Sequence, residues 1–209
     1  VEIDFADPAN PVIEKLDFDF ASCGYALCIV DTGGSHSDLT DEYAAVRKEM
    51  ESVAEYLGKS VLREVDEDEF MKNIADIRSS CGDRAVLRAM HFYGDNARVE
   101  KQAAALKAGD FETFKKYIIE SGRSSYMYNQ NVYSCKKVSE QPVSLALSLS
   151  EKLLDGCGAW RVHGGGFAGT IQAFVPLNKL DEYKDLMEKV FGSGSCYILS
   201  VRPVGGVEL

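Results

Sequence analysis

The last third of the chain carries secondary-structure signals in an order that few folds accommodate. After Gln141, "PVSLALSLSEKLLDG" reads as a helix ending near Gly156, and "AWRVH" reads as a strand. A glycine-rich loop follows, then the strand "TIQAFV" ending at Pro176, the helix "LNKLDEYKDLMEKVFG" and the closing strand "CYILSVRPV". Helix, strand, strand, helix, strand fits an antiparallel sheet with helices mainly on one face. It does not fit a doubly wound parallel sheet, in which each strand is followed by a crossover helix. The expected class is therefore α+β.

The loop between those strands, "HGGGFAG", satisfies the spacing G-x-G-x-x-G over Gly164, Gly165, Gly166, Phe167 and Gly169. A dinucleotide fingerprint must follow a strand and open a helix, so that the helix N-terminus meets the pyrophosphate. Here a β-branched strand follows, and no G-x-x-x-x-G-K-[ST] occurs anywhere in the chain. Two readings of the loop stay open. It is a wide glycine turn, or it is a place where missing Cβ atoms let another backbone or an anion approach the main-chain N–H groups.

Upstream, "VEIDF" and "GYALCIVD" read as strands, and "TGGSHSDLT" as a loop whose Thr40 and Asp41 can cap the next helix. In that helix Tyr43, Val46, Met50, Val53 and Leu57 form an apolar stripe, and Gly58 supplies the stop. Phe70, Ile74 and Ile77 mark a second short helix. Its acidic opening, Asp66 to Glu69, suits the positive end of the helix dipole better than a metal. Asp83 begins a long helix with a kink expected at Gly94, Phe111, Phe114 and Ile118 hold a shorter one, and "SSYMYNQNVYSC" reads as a loop.

With 33 acidic and 23 basic side chains, the net charge of −10 disfavours nucleic acid or an anionic membrane as partner. Apolar runs such as "YALCIV" are far shorter than the roughly 20 residues of a membrane span. The cysteines, at 23, 28, 81, 135, 157 and 196, make no C-x-x-C and no zinc spacing, which points to a reducing cytoplasm. A start at Val1 rather than Met suggests a fragment.

Four separated stretches resemble one family. "DTGGSHSDLTDEY" is similar to the galactokinase segment D-T-G-x-x-H-S-L followed by a tyrosine-bearing helix. "RAMHFYGDNARVEKQAAALKAGDF" resembles its R-A-x-H-x-x-x-E-x-x-R-V helix, with Asp95 where Glu is usual. "SGRSSYMYNQNVYSC" resembles its S-H-x-S segment, and "RVHGGGFAGT" resembles the third motif of the GHMP-kinase superfamily, R-M-T-G-G-G-F-G-G. Order and spacing agree over nearly the whole chain. The long-helix segment points to galactokinase rather than to mevalonate or homoserine kinase.

The resemblance implies a C-terminal GHMP-kinase domain with ferredoxin-like elements over residues 1–209, in a divergent, bacterial branch. Within it, residues 1–31 are where a strand shared with a missing N-terminal domain would lie. It implies a protein that moves the γ-phosphoryl group of ATP, with Mg²⁺, to the anomeric hydroxyl of galactose or a related sugar. The serine-rich phosphate loop and catalytic Asp of the family have no match here, so the fragment alone is expected to be inactive. No catalytic residue, metal ligand or tightly held cofactor is assigned to it. Tyr43, Gly33 and Gly34 are the implied sugar-side residues, although Tyr43 equally begins the core stripe of its helix. Gly164, Gly165, Gly166, Phe167 and Gly169 are implied to close over the reacting phosphates. Arg161 matches the motif arginine or makes a surface pair. His36 and His91 read as structural, while His163 and Ala168 depart from the motif. Glu140-Gln141-Pro142 stands where an acidic element is usual. The alternative is a sugar- and ATP-sensing regulator on the same scaffold, without phosphotransfer.

Overall fold

In the computed structural model, which describes residues 1–20, 22–34 and 39–200, the chain opens with a small antiparallel hairpin. Its strands are β1 (Glu2–Asp4) and β2 (Val12–Glu14), with Ile3 opposite Ile13. β2 was not foreseen, because three residues carry too little alternation to register. β3 (Tyr25–Asp31) then alternates strictly. Ala26, Cys28 and Val30 are buried on one face, and Tyr25 and Leu27 lie on the other.

α1 (Thr40–Tyr56) follows. The expected capping by Thr40 or Asp41 is not seen: Leu39 is the N-cap residue, and no described side chain caps the helix. Phe70, Ile74 and Ile77 belong to two short helices, α2 (Glu67–Lys72) and α3 (Ile74–Cys81), separated at Asn73. Asp66 caps α2 by accepting from the amides of Asp68 and Glu69. α4 (Asp83–Lys107) runs unbroken through Gly94. α5 (Phe111–Ser124) continues directly into one π-helical turn, Ser125–Asn129, where a loop was expected, and Gln130 closes it in the left-handed region at φ 54°. α6 (Pro142–Leu154), β4 (Ala159–Val162), β5 (Thr170–Pro176), α7 (Leu180–Phe191) and β6 (Cys196–Leu199) complete the expected order.

The main sheet has the order β4-β5-β3-β6 and is antiparallel throughout. α6 and α7 cover the face that carries Ala26, Cys28, Val30 and Ile171. Tyr183, Met187 and Ile171 are fully buried there, each adding about 1.5–3 kcal/mol of hydrophobic stabilisation. The hydroxyl of Tyr183 is satisfied by Ser150 Oγ at 2.9 Å. One end of the opposite face is also covered: Phe111 and Phe114 of α5, with Phe20, surround Phe174 at ring distances of 5.3 to 6.2 Å. A second core joins α1, α2, α3 and α4 around Val53, Phe70, Ile77 and Ala89. β4 and β5 thus project their connecting loop towards the N-terminal half of α1.

Candidate functional site: the glycine loop and its clamp

The loop from His163 to Gly169 is a hairpin connection, closed at its base by the His163 amide donating to the Thr170 carbonyl at 3.0 Å. Its backbone reverses through positive φ at Gly164 (71°), Gly166 (82°), Phe167 (57°) and Gly169 (84°). A bulky residue at positive φ is strained. Phe167 is held there by burial, by its amide donating to the Asn131 carbonyl at 2.5 Å, and by the Tyr43 ring set edge-on at 5.3 Å.

Two glycines are required by close approach. A Cβ on Gly165 would come within 2.9 Å of the Tyr43 ring, and one on Gly166 would lie 1.9 Å from the Asn131 carbonyl oxygen. Tyr43 also donates its hydroxyl to the Gly166 carbonyl at 2.7 Å. Desolvation raises the pKa of that phenol above its ordinary value, so it stays protonated and able to donate. Gly164 and Gly165 are exposed, and their amides donate to no described residue. They are the groups of this loop that an anion could meet.

Asn131 was not anticipated. Its side-chain amide donates to the Gly165 carbonyl at 3.1 Å, and its Oδ1 is buried with no partner among the described residues. Behind it, the carbonyl of Asn129 accepts from Arg88 Nε at 3.0 Å, and Arg88 Nη1 meets Glu49 at 2.9 Å. Glu49 also takes Arg84 Nη2 at 2.5 Å. Glu49 lies on α1, as Tyr43 does, so the contacts close a ring. It runs from Tyr43 along α1 to Glu49, across to α4, on to residues 129–131, and through the glycine loop back to Tyr43. Arg88 is fully buried, and desolvation lowers its pKa, with Glu49 opposing. A sequence signal for it existed: Arg88 falls on the same helical stripe as Ala85 and Ala89, where a charge demands a buried partner.

The second wall is formed by Gly33 and Gly34, tied to the hairpin where Thr32 donates through N (2.9 Å) and Oγ1 (2.6 Å) to the Gly169 carbonyl. A Cβ on Gly34 would lie 3.1 Å from both Ala168 Cβ and Pro142 Cγ. Gly33, Gly34, Phe167 and Ala168 line a depression of 630 Å³ rimmed by Ser134, Lys137, Glu140 and Gln141. Lys137 and the N-terminal end of α6 make part of this rim positive, and Glu140 offsets them. Among the described residues, the expected sugar-side positions flank the glycine loop on two sides. Gly33 and Gly34 line this depression, and Tyr43 lines a groove of 370 Å³ with Met50, Arg63 and Phe92. The glycine loop lies between them.

His91 is buried and bonds Ser124 Oγ at 2.9 Å through Nδ1. His163 is exposed and bonds Thr170 Oγ1 at 3.0 Å. Arg161 forms no ion pair with a described residue, and its Nε donates to the Val162 carbonyl at 3.3 Å. His36 lies outside the described residues. Among the described residues no group of three His, Cys, Asp or Glu could hold a metal, and no helix is long and apolar enough to cross a membrane.

No protein-family model matches the chain, but curated relatives do. Human galactokinase is 31% identical over 184 residues, which is 88% of this chain and 44% of its own length. The galactokinase of Actinobacillus pleuropneumoniae serotype 5b (strain L20) is 26% identical over 164 residues, 78% of this chain and 41% of its own. A crystal structure of Lactococcus lactis galactokinase in complex with galactose superposes with a TM-score of 0.66 at 20% identity. It covers 92% of this chain and 48% of that one. Galactokinase homologues thus cover most of the chain. As a galactokinase homologue it has that fold, and it spans less than half the length of these relatives. The glycine hairpin and the Tyr43 helix are thus parts of a galactokinase-like fold.

Proposed function

We propose that the chain supplies one wall of a cytoplasmic sugar kinase, whose complete protein transfers the γ-phosphoryl group of ATP to the anomeric hydroxyl of galactose or a related sugar. The observation that carries this reading is the convergence of Tyr43, Gly33, Gly34 and the 164–169 loop, which are far apart in sequence, at one polar-clamped hairpin. Tyr43 combines an apolar ring with a hydroxyl, the two kinds of group that suit a pyranose. The Gly164 and Gly165 amides are fixed dipoles that can meet phosphate oxygens without reorganising. Bound ATP and Mg²⁺ would bring the transferable group and neutralise its charge. The described residues contain no cluster to hold the metal, and no residue of this chain is given the role of base.

The chain alone is then inactive, and its partners are a sugar, ATP and the remainder of the kinase. The test is sugar-dependent ATP turnover across a panel of hexoses. We expect none from the 209-residue chain and galactose-dependent turnover from the complete protein. Turnover by the chain alone would overturn the division of labour. A second reading, a sugar- and ATP-sensing regulator, is favoured by His163 and Ala168 at motif positions. It predicts that the complete protein binds both ligands in calorimetry while transferring no phosphate.

A further inference from the structure

The loop end of the β4–β5 hairpin carries polar side chains that the clamp does not use. Trp160 and Val162 belong to the core that α6 and α7 cover, so by strand alternation Arg161 and His163 stand on the opposite face. There His163 is paired with Thr170. Its amide donates to the Thr170 carbonyl at 3.0 Å, and its Nδ1 lies 3.0 Å from Thr170 Oγ1. The residue is exposed, and its Nε2 has no hydrogen-bond partner among the described residues.

His163 is followed at once by Gly164 and Gly165, both exposed, whose amides donate to no described residue. Consecutive Cα atoms lie about 3.8 Å apart, so ring and amides share a stretch short enough for one tetrahedral oxyanion to span. Backbone dipoles alone attract an anion weakly in a chain of net charge −10. From residue 162 to residue 178 the sequence has no Lys, Arg, Asp or Glu, so His163 is the one side chain of that stretch able to carry positive charge.

A protonated imidazole has two N–H donors. With Nδ1 engaged by Thr170 Oγ1, the ring is held in place and Nε2 is left to donate to an anion. The charged and titratable groups that the strands and α1 set around it are Arg161 on the same face of β4, Asp31 opposite Thr170 on β3, and Tyr43 against Gly165. Histidine is the residue type whose charge changes between about pH 5 and pH 8.

We propose that His163 is the phosphate-binding side chain of the glycine loop: as imidazolium it closes on an oxyanion together with the Gly164 and Gly165 amides, and it loosens that hold on losing its proton. Threonine stands at this place in the motif R-M-T-G-G-G-F-G-G, and a hydroxyl gains or loses no charge in this range. The proposal rests on the kinase reading only in taking this loop as a phosphate contact.

The probe is sulfate, a tetrahedral dianion whose charge is constant from pH 5.5 to pH 8, titrated at fixed ionic strength into the ¹⁵N-labelled 209-residue chain. We expect the Gly164 and Gly165 amides and His163 Nε2 to shift and saturate at pH 5.5 with a dissociation constant of about 10 mM, and binding about fivefold weaker at pH 8. His163→Thr, at an exposed position, should bind equally at the two pH values with an unaltered unfolding midpoint. His36→Gln should keep the fivefold difference. Equal binding by the parent chain at both pH values would overturn the proposal, as would a difference that survives in His163→Thr or disappears in His36→Gln. Absence of any shift at His163, Gly164 and Gly165 would overturn it too. The kinase reading is decided separately, by turnover of the complete protein, whichever way these titrations fall.

Discussion

Gly166→Ala separates two costs that usually arrive together. At φ 82° any L side chain is strained, at about 1–2 kcal/mol. In addition the new Cβ would stand 1.9 Å from the carbonyl oxygen of Asn131 and 2.8 Å from its Nδ2. No rotamer change relieves the first overlap, because the obstacle is backbone. The loop must instead shift, loosening the contacts that Phe167 and Tyr43 make with it, for about 1–3 kcal/mol more by the measure of overpacked sites. Gly164→Ala is the control, since Gly164 has a similar φ of 71° but nothing within 4 Å of its added Cβ. Urea denaturation followed by fluorescence should therefore give losses of about 1–2 kcal/mol for Gly164→Ala and about 2–5 kcal/mol for Gly166→Ala. If the two variants lose equal stability, the close approach of Asn131 contributes nothing and the clamp argument fails.

Three further perturbations address the ring of contacts behind the loop. Arg88→Met should cost about 2–3 kcal/mol, because the buried Asn129 carbonyl loses its donor while Glu49 keeps Arg84; an unfolding midpoint equal to that of the parent would remove Arg88 from the clamp. Tyr43→Phe should lose about 1 kcal/mol in the absence of any sugar, through the hydrogen bond to Gly166. A variant that is fully stable yet weak for sugar would assign the hydroxyl to ligand binding alone. For His91, burial lowers the pKa below the ordinary 6.5, with Asp95 opposing and Arg161 and Arg98 adding to the lowering. The unfolded chain then takes up the proton first, so this contribution to stability is complete above about pH 6.5 and is lost as pH falls below it. Denaturation at pH 7.5 and pH 5 should show a smaller pH dependence in His91→Gln than in the parent, and identical dependences would exclude the imidazole.

The fold was legible where hydrophobic periodicity was strong. α4, α5 and α7 carry long 3.6-residue stripes, and β3 and β5 carry β-branched runs bounded by glycine or proline. Errors fell where a local rule was overridden from a distance. Thr40 is a good capping residue by type, yet Leu39 holds the N-cap position and packs with Phe167 and Ala168 instead. Residues 125–129 look like a loop because their aromatic and polar side chains have no helical period. They continue α5 as a π turn whose end carries Asn129 and Asn131 to Arg88 and to the glycine loop. Gly94 is a poor helix former, but α4 is held on both sides of it by α1, α3 and α5, which outweighs the roughly 1 kcal/mol preference.

The sequence by itself determined that three adjacent glycines join two strands, and that they open no helix. That follows from local chemistry: β-branched residues and a proline after the loop permit a strand and forbid a fingerprint helix. Which of those glycines tolerate a side chain was decided only by tertiary structure. Gly164 faces open space and Gly166 faces the Asn131 carbonyl, although the two are chemically identical and two residues apart. The same holds for Tyr43, whose stripe position was readable while its bond to Gly166 was not. Contacts between residues more than a hundred positions apart depend on how the sheet brings the hairpin onto α1, and no local pattern encodes that distance.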